Sequence, residues 1–369
     1  MPAFFGVPSC THHLAESARK RRSACVHWSA KPMLSKTLVE SQSIKLPRIF
    51  GARNLDAVFR VCEQVYMSLG PVILDGSETE FFDPLGIAVL GALLEPLFGQ
   101  RSVRIEWLSV SVGTYLARME VLSRCAIGGV ESASVVRNDL GDSLVELTRV
   151  SYDHEVDDAA DRLATAVAGK LTREDPEAPP DEATGINQFE AFRYPLRYAL
   201  SELLLNALSH AKREGRLDAA VWVAAQFYSK VGDVQLAVVD NGCGILETLR
   251  NSPALRVKTH ESAIPVALKP FVSCNPDFGL PGGTANQGVG LTTTHQIAKA
   301  TRGGLLIVSG DAAARAYKEV KSFGLAAGAH WRGVAVLMTC RRALLPSVNV
   351  PQLFPHVPNQ PTVNVRFIP

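Results

Sequence analysis

The chain has 369 residues, of which 47% are hydrophobic and 20% are charged, and these values favour a folded protein of about two domains. Its formal net charge is +2 and no basic stripe is interleaved with aromatic residues, which argues against a nucleic-acid-binding protein. The seven cysteines are dispersed and include no CxxC pair, which argues against a zinc site. No apolar run reaches the ~18 residues that a membrane span needs, and no secretory signal is recognisable. We therefore expect a cytoplasmic protein.

The N-terminal part of the chain is predicted to hold a poorly ordered segment and then a small α/β domain. Residues 1–45 show little apolar periodicity, and Met33 is an alternative start of translation within them. Residues 46–150 alternate helical and strand patterns, which is typical of an α/β layer. The predicted helices and strands of this domain span residues 57–69, 72–74, 85–98, 103–107 and 112–122.

Residues 151–188 are predicted to connect this domain to a second one, over residues 189–342. The connection begins with a helix over 151–171, whose apolar face is formed by Val156, Ala160, Leu163, Val167 and Leu171. It continues in a segment rich in acidic residues and proline, which indicates an exposed linker. Six prolines in residues 343–369 argue against a helix or a central strand there. We expect an extended surface tail, and a polyproline segment that binds a partner is the alternative.

The second domain begins with an amphipathic helix over 194–213 that carries three polar residues in one row. Glu202, Asn206 and His210 stand four residues apart, which places them on one face of a helix. The amide oxygen of Asn206 is a hard ligand that suits Mg²⁺, and the Glu202 carboxylate can accept a proton from an attacking water. By itself, such a pattern is more often a polar stripe that faces solvent.

A turn after a predicted strand carries the next motif. Strands are predicted over 219–227 and 234–239, and the second ends in Asp240, which can accept a hydrogen bond from an exocyclic amine. Gly242 and Gly244 would allow the backbone to approach a flat base. An ordinary Asp-Asn-Gly turn is the simpler alternative.

A second glycine-containing turn opens a helix predicted over residues 292–301. The turn consists of Gly288, Val289, Gly290 and Leu291, and glycines at a helix start present free backbone N–H groups to a phosphate. A lone motif of this kind is usually a plain loop that enters a helix. The motif is more informative here, because it follows the other two motifs in a fixed order along the chain.

Taken together, the three motifs resemble those of the GHKL superfamily of Bergerat-fold ATPases. This superfamily includes gyrase-type and mismatch-repair ATPases, ninety-kilodalton heat-shock chaperones, histidine kinases and anti-sigma kinases. The N box corresponds to residues 201–207, the first glycine box to residues 240–245 and the second to residues 288–291. The resemblance implies an α/β (α+β) fold class, an α/β sandwich built on a mixed sheet, and the binding of ATP with Mg²⁺.

The resemblance also implies roles for individual residues. Glu202 would be the catalytic carboxylate, Asn206 would bind Mg²⁺ and Asp240 would hold the adenine amine. The remaining residues expected to contact the nucleotide are His210, Gly242, Gly244, Gly288, Val289, Gly290 and Leu291. Residues between the two glycine boxes would form a mobile lid over ATP.

One residue departs from the family pattern. Family members often carry Thr after the glycine that opens the last core strand, where the hydroxyl assists adenine binding. Here Val334 follows Gly333, which weakens the adenine contact expected at this point.

The first domain resembles a STAS domain, as found in anti-anti-sigma factors. The resemblance rests on a strand, a turn and a helix within residues 72–90. The hydroxyl that is phosphorylated in that turn has no counterpart, because Pro84 and Leu85 lie between Asp83 and Gly86. We therefore expect a STAS-like domain without this regulation, or equally a generic α/β packing domain. A regulatory protein partner is expected to bind through it.

Three functions are compatible with these motifs. The first is a GHKL ATPase that switches conformation or partner binding. The second is an anti-sigma-type serine/threonine kinase or a histidine-kinase-like regulator, and the third is a non-catalytic nucleotide-binding scaffold. His154 is the only histidine in residues 151–188, lacks the flanking pattern of a phosphoacceptor and is expected to be a surface residue. A homodimer is compatible with all three functions.

Overall fold

A computed structural model describes residues 41–97, 99–121, 144–182, 184–211, 219–272 and 288–355. Within these ranges the α-helices α1 to α8 are Leu55–Met67, Pro84–Leu94, Val110–Arg118, Val156–Leu171, Gln188–Ala211, Gly244–Leu249, His260–Ala267 and Gly290–Ala300. The strands β1 to β6 are Gln42–Lys45, Ile49–Phe50, Val72–Asp75, Phe81–Phe82, Val103–Glu106 and Leu144–Val150. The strands β7 to β12 are Val221–Tyr228, Asp233–Asp240, Gly304–Gly310, Ala312–Ala316, Val320–Gly324 and Trp331–Arg341.

Seven strands form the main sheet, in the order β11-β10-β9-β12-β8-β7-β6. The predicted α/β fold class is confirmed, and the strands predicted over 219–227 and 234–239 are present as β7 and β8. The sheet was expected to be mixed, but each pair of neighbours is antiparallel. The reason is that β12 inserts between β8 and β9 and runs opposite to both.

Both faces of the central strands of this sheet are buried, and successive residues of a strand alternate between them. Val221 and Val223 of β7 join an apolar core with helices α4, α5, α7 and α8, which we call the helical layer. Trp222 and Ala224 join a second core with α1, α2, α3 and β1 to β5, which we call the N-terminal layer. Burial on both faces explains why β7, β8 and β9 are nearly continuous apolar runs, because neither side needs polar residues.

The N-terminal layer contains a small parallel sheet, in the order β1-β3-β5. Every residue of α2 is buried, because this helix packs directly against strands β7 and β8 of the main sheet. Asp83 caps α2: its carboxylate accepts hydrogen bonds from the backbone N–H groups of Gly86 and Ala52, at 2.9 and 2.7 Å. Asp83 is therefore the N-cap of α2 and Pro84 is its first residue, which are common positions for these two residue types.

Three details of the N-terminal layer differ from the prediction. Residues 42–45, predicted to belong to the poorly ordered segment, form β1, because they pair with the buried strand β3. Leu69, the last residue of the helix predicted over 57–69, is fully exposed because the helix ends at Met67. Residues 144–150, assigned to the first domain, form β6 and pair with β7 of the main sheet. The prediction for residues 1–40 lies outside the described ranges.

The connection and the tail are folded against the helical layer. The predicted apolar face of α4 is buried, and the carboxamide oxygen of Asn187 accepts a hydrogen bond from the Glu190 N–H at 2.8 Å, which caps α5. Residues 343–355, the part of the tail that the structure describes, differ from the extended form that we expected. Two short 3₁₀ helices, Arg342–Ser347 and Val350–Leu353, bury Leu345 and Val350 in the core of the helical layer. No helix in the described ranges combines the length and apolarity needed to cross a membrane.

Candidate functional site

A cavity of about 280 Å³ lies between helix α5, the turn after β8 and the start of α8. Seven of the ten predicted site residues line it, namely Asn206, His210, Asp240, Gly244, Gly288, Gly290 and Leu291. Glu202, Gly242 and Val289 do not line it. The motifs, which are separated by up to about a hundred residues in the chain, therefore converge on one cavity, as ligand sites commonly do.

Apolar side chains complete the wall, and among those from the sheet and from α6 the motifs had identified only Ile245. Val238, Ile307 and Val336 contribute from the sheet, while Ile245 and Leu249 contribute from α6. They belong to elements predicted as buried strands or turns, so the sequence marked them as core residues. Their apolar surface next to the Asp240 carboxylate suits a flat heteroaromatic ring with a polar edge.

The row on α5 is observed, and its middle member is unusual. Asn206 lines the cavity, and its Nδ2 is buried without a hydrogen-bond partner among the described residues. A Cβ atom added to Gly290 would lie 3.2 Å from this atom, so the amide faces the start of α8. Because a buried donor without a partner costs free energy, this N–H group fits one that gains an acceptor, such as a phosphate oxygen, from a ligand. The oxygen of the same amide is the atom that could hold Mg²⁺.

Glu202 lies beside the cavity wall and faces the same helix start. A Cβ atom added to Gly290 would lie 2.8 Å from the Cδ of Glu202 and closer still to Oε2. Burial raises the pKa of this carboxyl, while a hydrogen bond from the Tyr198 hydroxyl acts in the opposite direction. A carboxylate whose pKa is raised towards neutrality is a better general base, because it binds the transferred proton more strongly.

Asp240 is held at the end of β8 by backbone groups. Its Oδ1 accepts hydrogen bonds from the N–H of Gly242 at 2.9 Å and of Val334 at 3.2 Å, and the residue is only 3% exposed. The side chain of Val334 lacks the family's hydroxyl, but its backbone N–H is bonded to Asp240. Ser309, which the sequence analysis did not identify, supplies a nearby hydroxyl that donates to the Gly333 carbonyl and accepts from the Ile245 N–H.

Glycines are required at two positions of the first box. A Cβ atom on Gly242 would lie 2.7 Å from the Ala211 carbonyl oxygen and closer still to its Cα, so only glycine lets this turn approach the end of α5. Gly244 has φ +82°, a conformation that residues with side chains rarely adopt, and starts α6 at the cavity wall. Gly242 therefore shapes the site from behind the wall.

The second glycine box lies at the N-terminus of α8. Gly288 lines the cavity and its carbonyl accepts a hydrogen bond from the Phe271 N–H at 3.0 Å, while Val289 precedes the helix outside the wall. Gly290 and Leu291 form the first turn of α8. Backbone N–H groups at a helix start attract anions, which makes this end of the cavity suitable for phosphates.

The predicted lid between the two boxes is described only in part. Helices α6 and α7 lie within it, and Thr248, Leu249, Ala267 and Val272 contribute to the cavity wall. Residues 273–287, which contain the glycines and prolines on which the lid prediction rests, are outside the described ranges. The mobility of the lid stays a prediction.

A second, more polar cavity of about 460 Å³ lies on the other side of the first glycine box, against His260, His330 and Arg332. It is larger than the first, but it contains neither the polar row of α5 nor the start of α8. We therefore take the first cavity as the candidate nucleotide site.

Comparison with known proteins agrees with this choice. Residues 193–321 match the family described as histidine kinase-, DNA gyrase B-, and HSP90-like ATPase. No curated protein and no solved structure matches the chain. The match begins in α5, ends in β11 and includes all three motifs, but it does not reach the N-terminal layer, and nothing found supports the resemblance of that layer to STAS domains. Residues 193–321 therefore match a nucleotide-binding domain of the GHKL type.

Proposed function

We propose that this protein binds ATP with Mg²⁺ in the cavity beside α5 and hydrolyses it to switch its conformation or its binding of a partner. The observation that carries the proposal is the convergence of Glu202 and Asn206 on Gly290, at the start of α8. A carboxylate, an amide and a helix N-terminus at one point are the groups that phosphate chemistry needs.

Each end of the cavity has its own task in this proposal. The Asp240 carboxylate accepts a hydrogen bond from the adenine amine, and the apolar wall covers the faces of the ring. The N–H groups at the start of α8 bind the phosphates. Asn206 would hold Mg²⁺, which when bound neutralises phosphate charge. Glu202 accepts the proton of the attacking water.

A protein kinase is the second candidate, because the matched family includes histidine kinases by its description. In a serine/threonine kinase, Glu202 would polarise an acceptor hydroxyl instead of a water. A histidine kinase could use His154, which is exposed in the short 3₁₀ helix Asp153–Glu155 and stacks on Tyr152. A scaffold that binds nucleotide without turnover is the third candidate.

We assign partner binding to the N-terminal layer and keep its likeness to a STAS domain as part of the proposal. The support is a parallel sheet with flanking helices and the exposed apolar residues Leu69, Trp107 and Val110 on its surface. The thiols of Cys62 and Cys340, both buried and outside any disulfide among the described residues, fit a reducing compartment such as the cytoplasm.

The test is incubation of the purified full chain with γ-labelled ATP and Mg²⁺, with free phosphate and labelled protein followed together. Free phosphate without labelled protein supports the ATPase switch, while label on the chain or on a co-purified protein shows a kinase. Glu202→Ala serves as the matched control, since it should keep nucleotide binding and lose turnover. Full turnover in this variant would remove Glu202 from the mechanism.

A further inference from the structure

Trp331 connects the candidate adenine-binding residue to the N-terminal layer. This first residue of β12 is fully buried, and its indole N–H donates a hydrogen bond to the backbone carbonyl of Asp240 at 3.1 Å. Its ring packs against Phe59 and Tyr66 of α1, with centroid distances of 5.8 and 6.3 Å. One side chain thus contacts both α1 and the residue that is proposed to recognise adenine.

Asn241 makes a second connection, to α2. The side chain is 4% exposed, and its Oδ1 accepts a hydrogen bond from the Ala220 N–H at 3.0 Å. Its Nδ2 donates to the carbonyl oxygen of Ala92, within α2, at 3.3 Å. The residue next to Asp240 is therefore bonded to Ala220, which immediately precedes β7, on one side and to the N-terminal layer on the other.

We propose that Trp331 and Asn241 are positioning residues for Asp240, through which α1 and α2 set the preference of the site for adenine. The inference rests on the proposed function, because it assumes that the Asp240 carboxylate accepts a hydrogen bond from the adenine amine. The backbone N–H groups of Gly242 and Val334 fix the carboxylate, and the N-terminal layer fixes the backbone of Asp240 through the indole of Trp331. A group held in this way binds its ligand without first losing conformational freedom.

The preference for ADP over IDP tests this inference directly. Hypoxanthine carries a carbonyl oxygen where adenine carries its amine, so the two nucleotides differ at the group that Asp240 would contact. Each dissociation constant would be measured by calorimetry on the full chain. Trp331→Phe removes the indole N–H and keeps an aromatic ring between Phe59 and Tyr66. Because a buried hydrogen bond contributes about 1 kcal/mol, we expect the ratio of the two constants to fall roughly fivefold.

Trp222→Phe is the matched control. Trp222 is also buried against the N-terminal layer, next to Gly91 of α2, but its indole Nε1 has no hydrogen-bond partner among the described residues. It should leave the ADP/IDP ratio unchanged, even if it lowers stability. Asn241→Ala tests the second connection independently and should also lower the ratio.

The outcomes separate the inference from the proposed function. A lower ratio in Trp331→Phe and Asn241→Ala, with an unchanged ratio in Trp222→Phe, supports the inference. Equal weakening of both nucleotides, or no change, overturns it and leaves ATP binding in place. An unmutated chain that binds neither nucleotide would overturn the proposed function and the inference with it.

Discussion

The substitution Gly290→Ala is the sharpest test of how the cavity holds phosphate chemistry. An added Cβ atom would lie 2.8 Å from the Cδ of Glu202, closer still to Oε2, and 3.2 Å from the Nδ2 of Asn206. Non-bonded carbon atoms prefer a separation of about 3.5 Å or more. The Glu202 carboxylate must therefore move by roughly 1 Å, because the backbone of α8 is fixed and the side chain is not.

The fold should survive this change. Gly290 does not have a positive φ, and the atoms that an alanine would meet are the ends of side chains rather than backbone. The reactive geometry should not survive, since a misplacement of about 1 Å can cost on the order of a hundredfold in rate. We expect kcat for ATP hydrolysis to fall by about that factor while the melting temperature changes little.

The assay is steady-state phosphate release, with a thermal melt of each variant beside it. Gly169→Ala is the control: it lies in α4, where an added Cβ atom meets nothing within 4 Å. It should keep full turnover and gain slightly in stability, because alanine favours a helix over glycine. Unchanged turnover in Gly290→Ala would refute the placement of the Glu202 carboxylate at the start of α8.

Three further substitutions test individual groups of the site. Asp240→Asn can keep the hydrogen bonds from Gly242 and Val334 but loses the charge facing the adenine amine, so ADP binding measured by calorimetry should weaken by about a hundredfold; affinity equal to that of the wild type would contradict the adenine assignment. Glu202→Gln should gain stability relative to the wild type as the pH rises above 4.5. The reason is that burial raises the folded-state pKa of Glu202, so the wild type loses stability as the pH rises from the unfolded-state pKa to the folded-state pKa. Melting temperatures of the two proteins that change in parallel from pH 4 to pH 8 would oppose this. Tyr198→Phe removes a hydrogen bond that lowers the pKa of Glu202, so the acid limb of the kcat–pH profile should move to higher pH; an unmoved limb would show that Tyr198 does not act on this carboxyl.

Local patterns predicted the helical layer and most of the cavity. The four-residue spacing on α5 requires only a helix, and a turn after a buried strand requires only a strand, so neither depends on the rest of the fold. The position of Glu202 was harder to predict, because its contact with Gly290 joins residues 88 positions apart. Ser309 was not identified for a similar reason: its hydroxyl acts between two other segments, Ile245 and Gly333.

Partners across the main sheet could not be predicted from periodicity. Trp222 and Val221 both read as residues of a buried strand, and the pattern does not say that they face different layers. In the same way, the sequence predicted an element over residues 85–98, but not that strands β7 and β8 cover the helix α2 formed there. Long-range packing decides both, because the identity of an apolar side chain does not specify which apolar surface it packs against. The roles of the individual site residues stay predictions until the variants are measured.

The contacts of Asp240 connect the nucleotide cavity to the N-terminal layer, so the proposed effect of one on the other must act in both directions. Asp240 is bonded on one side to groups that line the nucleotide cavity and on the other to Trp331, whose ring packs on α1. If a partner of the N-terminal layer shifts α1, it changes the position of Trp331 and hence the affinity for adenine. By thermodynamic linkage, bound nucleotide must then change the affinity for that partner by the same factor. A partner of the N-terminal layer would therefore bind with an affinity that depends on whether the nucleotide cavity is occupied. Trp331→Phe should weaken both the effect of the partner on nucleotide affinity and the effect of nucleotide on partner affinity.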